Sequence, residues 1–134
     1  MLLGKIKGKA KNIFSFVCYW WFSFVPKQKN LWVFSCFHKK GYLDNTKYLY
    51  EYVVEHHPEI RANWLTMDVD VYQQLKSEGK PVIKMSTKGC RKILSRAQIA
   101  VTDHFRMSDY DNLSGYNNGI KLVQLWHGVG LKSF

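Results

Sequence analysis

The sequence predicts an α/β domain built on a parallel, doubly wound sheet and preceded by a basic, amphipathic helix. Three observations carry this. Short apolar runs rich in strand formers recur from residue 31 onward. Helical segments with recognisable start and stop residues separate most of them, and the connections are only a few residues long. Residues 1–29 carry six lysines and no acid around an uncharged aromatic run. At 134 residues the chain fits one domain, large enough to bury a core.

The N-terminal segment has two parts. Leu2, Leu3, Ile6 and Ala10 recur at helical spacing between Lys5, Lys7, Lys9 and Lys11, the pattern of a helix lying in a membrane interface. Ile13 to Val25 then runs uncharged for thirteen residues and includes Tyr19, Trp20, Trp21 and Phe22, aromatics suited to a headgroup boundary. As a helix this run covers about 20 Å, short of a bilayer core of roughly 30 Å. A secretory signal shows a similar start, but Pro26-Lys27 stands where small residues at a cleavage site are expected. A helix packed on the domain or on a partner accounts for the same aromatics. Residues 1–29 are therefore read as a membrane-associating segment and 30–134 as the domain.

Within the domain, Leu31–Phe37 predicts the first strand, and Lys39-Lys40-Gly41 breaks it. Asp44 or Asn45 caps a helix through Tyr48, Leu49, Tyr52 and Val53, which Pro58 ends. Ile60–Met67 is the second strand. Asp68 caps a short helix that stops at Gly79, and Pro81–Met85 is the third strand. Ser86 opens another helix with Ile93, Leu94 and Ala97 on one side. Gln98–Thr102 is the fourth strand, 106–119 a polar loop, and Ile120–Trp126 the fifth strand. This order implies right-handed crossovers within one parallel sheet.

The net charge of +10 is concentrated at the N-terminus, which implies a polyanionic partner there, a membrane surface or nucleic acid. The aromatics form one hydrophobic block rather than a stacking platform, so an anionic membrane is expected and nucleic acid is not. Three widely spaced cysteines, Cys18, Cys36 and Cys90, argue against a disulfide framework. Cys36 and His38 share a strand face but lack a second ligand pair, so no metal is expected. No Gly-rich phosphate loop, nucleophile elbow or HExxH stands in the chain.

In doubly wound sheets, ligands bind beyond the carboxyl ends of the strands. That rule selects Thr102-Asp103-His104 after the fourth strand and Trp126-His127-Gly128 after the fifth. Gly128 and Gly130 allow a sharp turn and close approach to a ligand. A helix starting near Leu131 would offer free N–H groups, with Lys132, to a phosphate. A neutral His127 there can take a proton from an attacking hydroxyl. A purely structural His and turn explain the same residues. Asp103 is read either as lining the cleft with His104 or as capping a turn. His56 and His57 are explained by the C-terminus of their helix.

The stretch Gln124-Leu125-Trp126-His127-Gly128-Val129-Gly130-Leu131-Lys132 resembles the QxWHGxxxK signature of the CDP-glycerol glycerophosphotransferase family. Val129-Gly130 stands where family members often carry a Thr-Pro pair. Gly41 followed by Asp44-Asn45-Thr46-Lys47-Tyr48-Leu49 resembles the family's stretch after its first strand, and Trp64 sits where the family often has a tryptophan. The resemblance implies the N-terminal half of a GT-B-type enzyme with two Rossmann-like halves, in which this half carries the acceptor side and the signature His. It implies a CDP-polyol donor, CDP-glycerol or CDP-ribitol, bound mainly by a second domain, and a polyprenyl-linked acceptor at the cytoplasmic face of the cell membrane. No cofactor is expected. His127 would be catalytic, with Gly128, Gly130, Lys132, Asp103, His104 and Asn45 binding substrate or phosphate. The chain ends at Phe134, where the second half is expected to begin, so this piece alone is expected to be inactive. A non-catalytic membrane-bound domain that binds lipid-linked polymer or a partner protein is the alternative.

Overall fold

The computed structural model describes residues 2–36, 42, 44–85, 87–103 and 119–125. Among them are four helices and five strands: α1 (Leu2–Ser23), β1 (Gln28–Ser35), α2 (Asp44–His56), β2 (Arg61–Thr66), α3 (Val69–Ser77), β3 (Val82–Lys84), α4 (Lys88–Arg96), β4 (Ala97–Thr102) and β5 (Lys121–Gln124). The strands form one sheet in the order β3-β2-β1-β4-β5, and every pairing is parallel. The expected α/β class and parallel sheet are what the chain adopts.

Alternation along the strands supplies a core on each face of the sheet, because neighbouring residues point to opposite sides. Leu31 and Val33 of β1, Leu65 of β2 and Ala100 of β4 pack with Cys90 and Leu94 of α4. Phe34, Trp64 and Val101, one residue out of phase, pack with Tyr50 and Val53 of α2 and Leu75 of α3. Helices α2 and α3 therefore cover one face and α4 the other. The chain winds outward from β1 through β2 to β3, then returns through α4 to β4 on the other side of β1. Reversing the winding direction while keeping right-handed crossovers moves the helix to the opposite face.

The second core is aromatic. Trp64 meets Tyr42 and Tyr50 edge-on, with ring centroids 4.8 and 5.3 Å apart, and Tyr50 meets Phe34 at 5.4 Å. The Tyr42 hydroxyl donates to Glu51 at 2.7 Å, and Lys80 bridges Glu51 and Glu78 at 3.2 and 2.8 Å. Burial, and then the bond to Glu51, push the Tyr42 hydroxyl far above its usual pKa. Burial raises the Glu51 carboxyl, but the Tyr42 and Lys80 bonds outweigh it and hold it below the usual carboxylate range. This network fixes Tyr42, in the β1–α2 connection, against α2.

Local signals account for most boundaries. Asp68 accepts from the N–H groups of Asp70 and Val71 and opens α3 as expected. Gly79 closes it with φ +71°, while the N–H groups of Gly79 and Lys80 return to Lys76 and Leu75. Three expected boundaries shift. β1 begins at Gln28 rather than Leu31. The cap of α4 is Thr87, whose hydroxyl accepts from the Cys90 N–H, and Ser86 lies outside the described residues. Ala97, expected on the apolar side of that helix, is instead the first residue of β4, so helix and strand adjoin without a loop. Of the expected polar loop 106–119, residues 106–118 also lie outside the described residues.

Candidate functional site at the carboxyl edge

The winding reverses between β1 and β4, which makes their carboxyl ends the expected ligand position in a sheet of this order. Ser35 closes β1 and pairs in register with Thr102, which closes β4; Thr102 in turn pairs with Gln124, which closes β5. Neighbouring strands lie about 4.8 Å apart, so Ser35 and Gln124 flank Thr102 across roughly 10 Å. The Leu125 N–H donates to the Thr102 carbonyl at 2.6 Å and carries the β4–β5 pairing one residue beyond the strands.

Sequence reasoning missed the hydroxyl rim of this edge. β1, β2 and β4 each end on a fully buried hydroxyl residue: Ser35, Thr66 and Thr102. Thr66 has a structural task, since its hydroxyl accepts from the Asp68 N–H at 3.0 Å and sets up the α3 cap. Ser35 and Thr46 differ. Both are fully buried, and among the described residues neither hydroxyl has a hydrogen-bond partner. Thr46 is the third residue of α2, and the N-terminal end of α2 follows the carboxyl end of β1. The available signal was a single Ser or Thr near the carboxyl end of each of these three apolar runs.

Of the expected site residues, the structure describes two. Asp103 follows β4 at this edge and is 1% exposed. Asn45 lies in the first turn of α2 and is exposed; α2 already includes Asp44, so Asn45 is a first-turn residue rather than the cap. His104, His127, Gly128, Gly130 and Lys132 lie outside the described residues. His127 follows Leu125 by two residues in the sequence. His38, the partner considered for Cys36, also lies outside them. Among the described residues no group of three metal-ligating side chains occurs.

The opposite edge collects other features. The His56 ring reaches the Tyr52 carbonyl at 3.1 Å, and His57 pairs with Glu59 at 2.9 Å. Both lie at the C-terminal end of α2, as the sequence suggested, and away from the carboxyl ends of the strands. A cavity of about 300 Å³ lies nearby, lined by Val54, Pro58, Ile60, Arg61, Asn63 and Pro81. It is large, but it sits at the amino ends of β2 and β3, where this fold does not place ligands. Arg61, the one titratable side chain in its lining, is engaged with Gln28.

Of the expected membrane-binding residues, Lys5, Lys7, Lys9, Lys11, Trp20 and Trp21 are exposed along α1, and Phe22 is a helical position whose side chain lies outside the description. Among the described residues no helix is long and apolar enough to cross a membrane.

Comparison with known proteins follows the same lines. No curated protein matches the chain. Solved structures of the wall teichoic acid polymerase TagF do. A His-to-Asn variant soaked with CDPG for 15 minutes superposes with a TM-score of 0.62 at 19% identity, over 94% of this chain and 30% of that one. The same variant after a 30 minute soak gives 0.59 at 17% identity, over 96% and 33%. A further TagF structure gives 0.57 at 19% identity, over 94% and 29%. At these identities the likeness is one of fold, and this chain spans about a third of the length of those structures. A family model described as CDP-Glycerol:Poly(glycerophosphate) glycerophosphotransferase matches residues 17–134. With its parallel sheet, its polar carboxyl edge and a family match over most of its length, the chain belongs to the CDP-glycerol:poly(glycerophosphate) glycerophosphotransferase family.

Proposed function

We propose that this chain forms the acceptor-side half of a GT-B-type polyolphosphate transferase that extends teichoic acid or a related cell-surface polymer. An acceptor hydroxyl attacks the polyol-bearing phosphate of a CDP-polyol. The new P–O bond forms as the bond to CMP breaks, and the hydroxyl proton passes to His127. Such a general base typically contributes about 10²–10⁴-fold. The N–H groups of the Gly128–Gly130 turn and the Lys132 ammonium stabilise charge on the phosphate. Asp103, His104 and Asn45 line the acceptor's approach. The donor, CDP-glycerol or CDP-ribitol, is held mainly by a second Rossmann-like half. The reaction takes place at the cytoplasmic membrane face, where a polyprenyl-linked acceptor is within reach.

One observation supports this reading: among the described residues, Ser35 and Thr46 bury hydroxyls without partners near the carboxyl edge, the edge to which β5 leads the chain before His127. A buried hydroxyl left unpaired costs about 1–3 kcal/mol, and a polyhydroxylated, phosphate-bearing acceptor offers the missing partners. Calorimetric titration of the chain with a short glycerol phosphate oligomer and with CDP-glycerol tests it. The oligomer is expected to bind, and Ser35→Ala or Thr46→Val to weaken it about tenfold, the equivalent of one hydrogen bond. CDP-glycerol binding tightly where the oligomer does not would reverse the assignment. Acceptor binding without transfer, even when the donor-binding half is supplied, would favour a non-catalytic polymer-binding domain.

A further inference from the structure

Two lysines approach the Tyr42 ring, and they are engaged differently. The Lys80 ammonium lies 5.8 Å from the ring centroid and pairs with Glu51 and Glu78. The Lys47 ammonium lies 5.1 Å from the Tyr42 centroid and 5.7 Å from that of Tyr48. Among the described residues Lys47 makes no ion pair, and Glu51 feels its charge only from farther away. A ring face holds an ammonium by electrostatic attraction and leaves its N–H groups without acceptors. Lys47 is therefore positioned while its donors stay unused. The position is firm on one side, where Tyr42 is 8% exposed and donates to Glu51 at 2.7 Å, and open on the other, where Tyr48 is 67% exposed.

The place itself is an uncommon one for a cation. Lys47 is the fourth residue of α2, at the end where free backbone N–H groups already concentrate positive charge. A like charge there disfavours the helix, and an anion bound there reverses the sign. In the same turn Thr46 is fully buried, with a hydroxyl that has no hydrogen-bond partner among the described residues, and Asn45 is exposed. This end of α2 follows the carboxyl end of β1.

We propose that Lys47, held between Tyr42 and Tyr48 at the first turn of α2, binds a phosphodiester of the acceptor chain set back from the hydroxyl that reacts. The inference rests on the transfer reading above, in which this edge receives the acceptor. One compact ammonium matches the single charge of a diester, whereas a nucleotide diphosphate calls for more cations than this turn presents. A contact away from the reacting phosphorus is equally strong before and during transfer, so Lys47 sets acceptor affinity rather than the rate of the chemical step.

The test is calorimetric titration of the 134-residue chain with a short glycerol phosphate oligomer, with inorganic phosphate and with CDP-glycerol. Lys47→Gln should weaken oligomer binding about tenfold, and Lys47→Arg should keep most of it. Lys76→Gln, over the single ring of Tyr72 on α3, should leave it unchanged. In transfer assays with the donor-binding half supplied, Lys47→Gln should raise the acceptor KM about tenfold with kcat within about twofold. Thermal unfolding should not move, because Lys47 makes no ion pair among the described residues. A wild-type chain that ignores the oligomer would sink the acceptor-side reading and this site with it. Oligomer binding that Lys47→Gln matches would overturn this site alone. Inorganic phosphate binding as tightly as the oligomer, or CDP-glycerol binding that weakens with Lys47→Gln while oligomer binding does not, would also overturn it.

Discussion

Replacing the unpartnered hydroxyls at the carboxyl edge should raise stability. Ser35 and Thr46 are fully buried, and neither hydroxyl has a hydrogen-bond partner among the described residues. Thr46→Val exchanges a hydroxyl for a methyl of similar volume, and Ser35→Ala removes the oxygen with little change in packing. Each change relieves the desolvation cost of an unpaired buried hydroxyl, about 1–3 kcal/mol, set against a small loss of packing. A gain of about 1 kcal/mol per site is expected, or about 4 °C in Tm for a domain of this size. Thr66→Val is the counter-example. It is equally buried, but its hydroxyl accepts from the Asp68 N–H at 3.0 Å, so its loss should cost about 1 kcal/mol or more. The assay is urea unfolding followed by far-ultraviolet circular dichroism, with the three variants measured side by side. Opposite signs for Thr66→Val and for the other two support hydroxyls kept for a ligand at the expense of stability. If Ser35→Ala and Thr46→Val each destabilise the domain as Thr66→Val does, the hydroxyls are structural and the reasoning fails.

Two further outcomes follow from the fold. Tyr42→Phe should cost about 1 kcal/mol at neutral pH by removing the bond to Glu51. Glu51 sits below its ordinary 4.5, so its contribution is present above that value and is lost as pH falls through the lower folded one; the difference between Tyr42→Phe and wild type should shrink in unfolding experiments below about pH 4. Gly79→Ala should cost about 1 kcal/mol, read as a drop of about 4 °C in Tm, because φ is +71° there while the space around a Cβ is open.

The sheet was legible in the sequence because β1 to β4 are apolar runs whose alternate residues serve two cores, and because Asp68 and Gly79 punctuate α3 unmistakably. The amino end of β1 was not: Gln28, Lys29 and Asn30 are polar and lie where the sheet meets solvent, so they read as linker. Arg96 and Ala97 carry no breaker between them, and an alanine suits the end of a helix as well as a strand start, which is why α4 looked longer than it is. Ser86 and Thr87 are adjacent hydroxyls, and only backbone geometry shows that Thr87 is the cap. The site was legible at its position rather than in its chemistry. The carboxyl-edge rule selected Asp103 and the end of β5, whereas Ser35, inside the expected first strand, and Thr46, inside the expected helix, were not singled out as site residues. Whether such a hydroxyl has a partner depends on packing between elements distant in sequence.

The most direct test of transfer at this edge is the rate at which labelled polyol phosphate moves from CDP-glycerol to a short polyolphosphate acceptor, using residues 1–134 together with the donor-binding half. His127→Ala should lower kcat about 10²–10⁴-fold with little change in acceptor binding and none in thermal unfolding. His56→Ala, at the opposite edge of the sheet, should leave the rate unchanged. Retention of most activity by His127→Ala at unchanged stability would contradict the account and return His127 to a structural part of the turn.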